Sequence, residues 1–168
     1  MQLSQESIIA ASLEILNKYG LADMSMRRLA LSLGVAPGAL YWHFKNKQAL
    51  IDATARALLD DFFQLSDISI KEAIFTFRNI LLSYRDGGEL ISAALADSVL
   101  HEEVIETLIS LDDTLSYAQS ANLIHLTLGS TVMEQTQQQR AEYIGDTPTH
   151  SWDALFAQGV DMLLSPPV

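Results

Sequence analysis

Apolar residues recur along this chain at helical spacing, and no run alternates with a period of two. The first periodic segment opens after Ser4, a residue suited to capping, and sets Ile8, Ala11, Ile15 and Leu16 on one face, widened by Ile9 and Leu13. Gly20, following Tyr19, suits a left-handed cap. Ser25 is placed to cap a short second helix with Leu29, Ala30 and Leu33 inward, which Gly34 ends. Pro37 stands where a first helical turn tolerates a missing N–H, and the third helix should end near Phe44. Asn46 then caps a fourth helix expected to run unbroken to about Gln64.

Beyond it the pattern predicts about five more helices. Residues 70–84 carry Ile74, Phe77, Leu81 and Tyr84 on one face, and further helical segments cover 91–100, 104–115, 123–139 and 151–164. Gly87-Gly88 and Gly145-Asp146-Thr147-Pro148 read as turns, QTQQQ at 135–139 as a polar helix end, and Ser165-Pro166-Pro167 as the stop of the last helix. The expected fold class is all-α, with a three-helix head over residues 1–47 and a helical body over 48–168.

Two short helices joined by a tight Gly-containing turn, with a third behind them, form the helix-turn-helix arrangement, whose second helix enters the major groove of DNA. In the third helix Leu40 and Phe44 are four apart and can bury together. That leaves Gly38, Ala39, Tyr41, Trp42 and His43 largely outward, a small uncharged face with hydroxyl, indole and imidazole groups for phosphates or base edges. Lys45 and Lys47 follow at its end, positioned for phosphate oxygens. Periodicity alone equally allows Tyr41 and Trp42 to be core aromatics.

The net charge of −11 argues against a polyanion partner only until its distribution is considered. Residues 1–47 hold five basic and three acidic side chains, a net +2, whereas residues 48–168 hold five basic and eighteen acidic, a net −13. A polyanion is drawn to the first segment and repelled by the rest. Apolar residues make up 49% of the chain and charged ones 18%, enough for a substantial core. With no cysteine, disulfides, iron–sulfur clusters, thiolate zinc and a cysteine nucleophile are excluded, and a reducing cytoplasmic setting is expected. No stretch has the length of a membrane span, and the first residues, MQLSQES, lack the features of a secretory signal, so no membrane partner is expected.

Enzymatic chemistry finds no foothold. HEEVI at 101–105 begins like a zinc-protease helix but has Ile105 where the second histidine belongs, and there is no phosphate loop, no nucleophile elbow and no DxD pair. His125 on its apolar helix reads as a bonded core or interface histidine. No cofactor or metal is expected.

The run SMRRLALSLGVAPGALYWHFKNKQALID, and within it LGV(x)4LYWHFKNKxAL, resembles the DNA-binding head of the TetR family of bacterial regulators. ALLDD at 57–61, LLSYRDGGEL at 81–90, HLTLGS at 125–130 and FAQGVDMLL at 156–164 resemble the tetracycline-repressor branch of that family. The resemblance implies an all-helical homodimer that covers a palindromic DNA operator and leaves it when a small molecule enters the larger domain. It implies that Arg27 reads a base and that Ser25, Tyr41, Trp42, His43 and Lys47 contact backbone or bases, with Pro37, Gly38 and Ala39 at the start of the recognition helix. The branch carries larger polar residues over Ala36, Pro37, Gly38 and Ala39, so a different operator is implied.

In that branch the drug enters as a magnesium chelate. The metal-histidine position is Ile91 here, its neighbours are Ala94 and Leu95, the ring-contacting positions are Phe63 and Ala73, and Phe77 is retained. A glutamate supplied by the second subunit becomes Met133. Ile91 offers magnesium no ligand, so the implied effector is small and hydrophobic or aromatic, bound without the chelate; the same residues also suit a solid core. Leu123, Leu126, Leu128, Gly129, Ser130, Trp152, Leu155, Phe156, Gly159, Val160 and Leu163 suit either a four-helix dimer interface or an internal helix pair. The function expected is a ligand-responsive transcriptional repressor; the alternative is a helical protein–protein adaptor with a vestigial head.

Overall fold

The computed structural model describes residues 3–145 and 151–165, and every regular element among them is a helix. The head comprises α1 (Gln5–Tyr19), α2 (Met26–Leu33) and α3 (Pro37–Leu40). Ser4 and Ser7 close the first end of α1 reciprocally, each hydroxyl accepting the other's backbone N–H at 3.2 and 2.9 Å. Ile8, Ile15 and Leu16 are buried as the periodicity requires, and Ser12 joins them by donating to the Ile8 carbonyl. The Ser25 hydroxyl accepts the Arg28 N–H at 3.2 Å, and Gly34 ends α2 in the left-handed region at φ 67°. Gly20 differs from expectation: its φ of 85° comes with ψ of 174°, a region open essentially to glycine alone.

The fourth helix is interrupted. It runs as α4 (Lys47–Leu58), flattens at Leu59 (φ −88°, ψ 3°) and resumes as α5 (Asp60–Phe63). The break turns Leu58, Leu59 and Phe62 together into the core, a demand that an even helix meets poorly at adjacent positions. The body continues with α6 (Ile70–Leu82), α7 (Gly87–Ala94), α8 (Ser98–Leu111), α9 (Tyr117–Ile144) and α10 (Trp152–Leu164). At the start of α6 the Ser69 N–H and hydroxyl both donate to the Glu72 carboxylate, which holds its pKa below the ordinary value.

The expected segment over 91–100 does not exist as one helix. Chain direction changes between Ala94 and Ser98, where the Asp97 carboxylate caps α8 by accepting the Val99 N–H at 2.7 Å. Gly87 and Gly88, expected as a turn, form the first turn of α7. A Cβ on Gly87 would lie 2.1 Å from the Leu81 carbonyl oxygen, so glycine is there for close approach. The α9 helix is longer at both ends than its apolar pattern suggested. Of the turn expected over 145–148, Gly145 caps α9 at φ 71° and the rest lies outside the described residues, as do Pro166 and Pro167.

α9 is the spine of the body, packed against α6, α7, α8 and α10, while α4 packs on both α1 and α7 and so belongs to head and body alike. One buried ion pair crosses this packing. Arg78 on α6, 3% exposed, donates to Glu134 on α9 at 2.6 Å, reaches Asp153 on α10 at 2.9 Å and lies 5.0 Å over the Phe156 ring. Removing one member strands a buried charge, whereas replacing both members by apolar side chains need not. Glu134→Ala is expected to lose about 3 kcal/mol in urea unfolding, and Arg78→Met combined with Glu134→Leu to recover most of it. Asp153→Ala, on an exposed carboxylate, should cost under about 1 kcal/mol.

Candidate nucleic-acid interface

Leu40 and Phe44 bury together under α3 at 0% and 6% exposure, which decides the orientation of everything around them. α3 keeps helical form only to Leu40 and continues as a turn through His43. Tyr41 is 53% exposed and Trp42 91%, so neither is a core aromatic. Ala36, Pro37 and Gly38 are also exposed, and Ala39 and His43 are half-buried.

The two arginines of α2 differ in a way the sequence does not announce. Arg28 pairs with Asp23 at 2.5 Å and lies 4.5 Å over the Tyr19 ring, so it ties α2 to the end of α1. Arg27 is exposed and makes no hydrogen bond or ion pair within the described residues. Ser25, Arg27, Arg28 and Leu31 line one shallow depression of about 370 Å³. Lys45 and Lys47 are exposed beyond α3 and equally unpaired. Ser25, Arg27, Pro37, Gly38, Tyr41, Trp42, His43 and Lys47 thus all keep accessible surface; the Ser25 hydroxyl is already committed to its cap.

The expected effector residues lie deeper. Ala73, Phe77, Ile91 and Ala94 have no exposed surface, and Phe63 and Leu95 pack against the same core. Phe62, not singled out from the sequence, is fully buried with two of them, its ring 4.9 Å from Phe77 and 5.9 Å from Phe63. Met133 stands apart, 63% exposed on α9. Ile91 brings only hydrocarbon where a magnesium ligand would be required, and the set as a whole offers no oxygen or imidazole donor, so these residues do not fit that ion.

The apolar surface of α9 and α10 divides in two. Leu123, Phe156 and Val160 turn into the chain's own core, and Gly159 lets Leu126 approach so closely that a Cβ would lie 2.9 Å from it. Part of the expected interface is therefore an internal helix pair. Leu128, Gly129, Val132, Met133, Leu155 and Met162 remain exposed or half-buried on the outside. A groove of about 350 Å³ runs among Val132, Met133, Thr136, Gln137, Arg140 and Trp152. His125 is exposed rather than buried, and its ring stacks on His101 with centroids 6.1 Å apart.

One carboxylate connects these regions, and nothing in the sequence pattern marked it. Asp86, itself held in the left-handed region at φ 54°, accepts the Leu21 N–H of the head at 2.9 Å and the Gln139 side-chain amide of α9. A Cβ on Gly20 would lie 2.3 Å from the same carboxylate, which explains the glycine. One turn earlier on α9, Gln135 donates to the Leu81 and Tyr84 carbonyls and accepts the Gly88 N–H at 3.0 Å. The glutamine run, expected as a polar helix end, therefore also supplies the seam that joins α9 to the α6–α7 corner.

Residues 8–54 match the family model described as bacterial regulatory proteins, tetR family. Over 163 residues the chain is 34% identical to the tetracycline repressor protein class C of Escherichia coli, covering 86% of this chain and 72% of that one. Among solved structures, BioQ with its natural double-stranded DNA operator is 35% identical with a TM-score of 0.73, covering 95% of this chain and 99% of that one. A TetR variant from Acinetobacter baumannii in complex with minocycline is 29% identical with a TM-score of 0.72, covering 96% and 92%.

The Asp86 connection makes a local expectation. In amide hydrogen exchange Leu21 should be protected, and Asp86→Ala should expose it while Leu29 and Ala30 of α2 keep their protection. Gly20→Ala, which meets both the positive φ and the carboxylate, should lower stability by about 1–3 kcal/mol. Equal protection of Leu21 in both proteins would contradict the connection.

Proposed function

Given that the chain belongs to the tetR family of bacterial regulatory proteins, DNA-binding transcriptional regulators rather than enzymes, we propose that it is a ligand-responsive repressor of a palindromic operator. The observation that carries this reading is the exposed surface at α3, with Trp42 and Tyr41 in solvent, together with an Arg27 that is unpaired among the described residues, on the weakly basic head of an acidic chain. A free guanidinium is matched to guanine O6 and N7, and Lys47 and Lys45 are matched to phosphates. Ser25, Tyr41, Trp42 and His43 complete the contact to backbone and bases, with Pro37, Gly38 and Ala39 at the groove.

A palindromic site requires two heads at fixed spacing, about 34–36 Å for adjacent major-groove half-sites. We assign the outer face of α9 and α10, with Met133, Leu155 and Met162, to a second copy of this chain; a two-fold axis would make that face meet itself. The division of residues 1–47 and 48–168 into head and body follows from this assignment, α4 being shared.

The effector we assign is a small hydrophobic or aromatic molecule bound without a metal chelate. Its site is Phe63, Ala73, Phe77, Ile91, Ala94 and Leu95, with Met133 of the partner subunit closing it. These residues are packed in the single chain, so the ligand enters by displacing Phe62 from among them. Displacement there moves α7, and α7 is joined at its start to Asp86 and through Asp86 to the head. Ligand and operator then compete through the head's position, which requires a coupling of roughly 1–3 kcal/mol or more.

Titrating the protein onto an operator selected from a random DNA pool, at two salt concentrations, tests the reading. A specific complex that weakens steeply with salt is expected; an adaptor with a vestigial head gives none. Arg27→Ala should relax the choice of base at one position by about 1–3 kcal/mol, and Lys47→Ala should weaken all sites alike and lower the salt slope by about one. Arg28→Ala should loosen the head without changing which base is preferred.

A further inference from the structure

Resting on the operator-binding reading above, we propose that the first turn of α3 recognises thymine through its C5-methyl group, with Ala36, Pro37 and Ala39 as the contacting side chains and Gly38 leaving room for the groove edge. From Ala36 to Leu40 no side chain carries a hydrogen-bonding atom, and Pro37 lacks even its backbone N–H. The Ala36 cap makes no side-chain bond, and Leu40 is fully buried beneath the turn. What its side chains present outward is therefore methyl and ring methylene.

In the major groove every base pair shows donors or acceptors, but only thymine shows an apolar group. A hydrocarbon surface pressed against an adenine, guanine or cytosine edge strips water from polar atoms and returns no hydrogen bond. Against a thymine methyl it buries apolar area on both sides. Chemistry thus selects one base for this surface, while Arg27 supplies the polar contact elsewhere in the half-site.

Gly38 is a second, independent sign. Its φ is not in the left-handed region, and a Cβ built on it meets nothing within 4 Å. The fold therefore has no use for glycine at this position, although glycine in a helix is less favourable than alanine. The unused space faces outward, where a duplex would come.

Deoxyuridine differs from thymidine only by the missing methyl, which makes the test direct. An operator selected from a random pool is resynthesised with each thymine replaced singly by deoxyuridine, and each dissociation constant is measured at one salt concentration. At the thymines beneath α3 each replacement should weaken binding about threefold to fivefold, and elsewhere it should change little. Pro37→Ser should erase that penalty at one of these thymines while leaving the guanine read by Arg27 as important as before. Gly38→Ala should keep or raise the melting temperature yet weaken operator binding about tenfold, a split that a purely structural glycine does not give. A specific complex indifferent to every deoxyuridine, or to Gly38→Ala, overturns the methyl reading and leaves operator binding standing. Failure to select any operator overturns both.

Discussion

Asp86 holds the molecule's two halves in register. Its carboxylate is shared between the Leu21 N–H, in the loop after α1, and Gln139 on α9. Buried or half-buried backbone donors require partners, and a charged acceptor forms the stronger bond. The demands on its surroundings are visible: Asp86 takes a left-handed conformation, which aspartate tolerates better than most side chains, and Gly20 has no side chain because the carboxylate occupies that space. The Arg85 N–H, donating to the Asn17 side chain at 3.4 Å, and α4, packed on both α1 and α7, attach the head to the body beside it. Where the head points therefore depends on α9 and α7, the helices we assign to the second subunit and to the effector.

Rigidity elsewhere makes that dependence useful. Arg78, Glu134 and Asp153 bind α6, α9 and α10 into one block. An ion pair in such a place contributes little net stability, but its directional bonds fix the register of three helices whose apolar contacts alone would tolerate sliding. Gln135 does the same between α9 and the α6–α7 corner with three hydrogen bonds from one amide. Charge is partitioned to match: the acidic body repels a polyanion and the weakly basic head attracts one.

Local physics made much of this readable from the residues. Capping serines, the helix-ending Gly34 and the Leu40–Phe44 pair act over a few positions, and all behave in the structure as their chemistry suggests. The features that escaped are those whose cause lies far along the chain. Gly87 resembles a turn glycine until the Leu81 carbonyl is seen beside it; the glutamine run resembles solvent-facing helix until Asp86 and the corner carbonyls reach it. The α7–α8 boundary was hidden because apolar residues continue on both sides and only Asp97 marks the cap. Of the neighbours Arg27 and Arg28, the resemblance pointed to Arg27, and the pairing of Arg28 with Asp23 and Tyr19 is the physical difference that leaves Arg27 free. In the body, family resemblance pointed to Phe63 and Phe77, yet the Phe62 ring that packs against both follows the break at Leu59, which periodicity does not signal.

Because the chain has no cysteine, a single spin label can be attached at Glu14→Cys on the exposed face of α1, and the distance between the labels of two copies measured by pulsed electron resonance. The account predicts one narrow distance distribution for the otherwise native protein and a broad one once Asp86 is replaced by alanine. Equal widths in the two proteins, or no intersubunit distance at all, would contradict the claim that this carboxylate sets the position of paired heads.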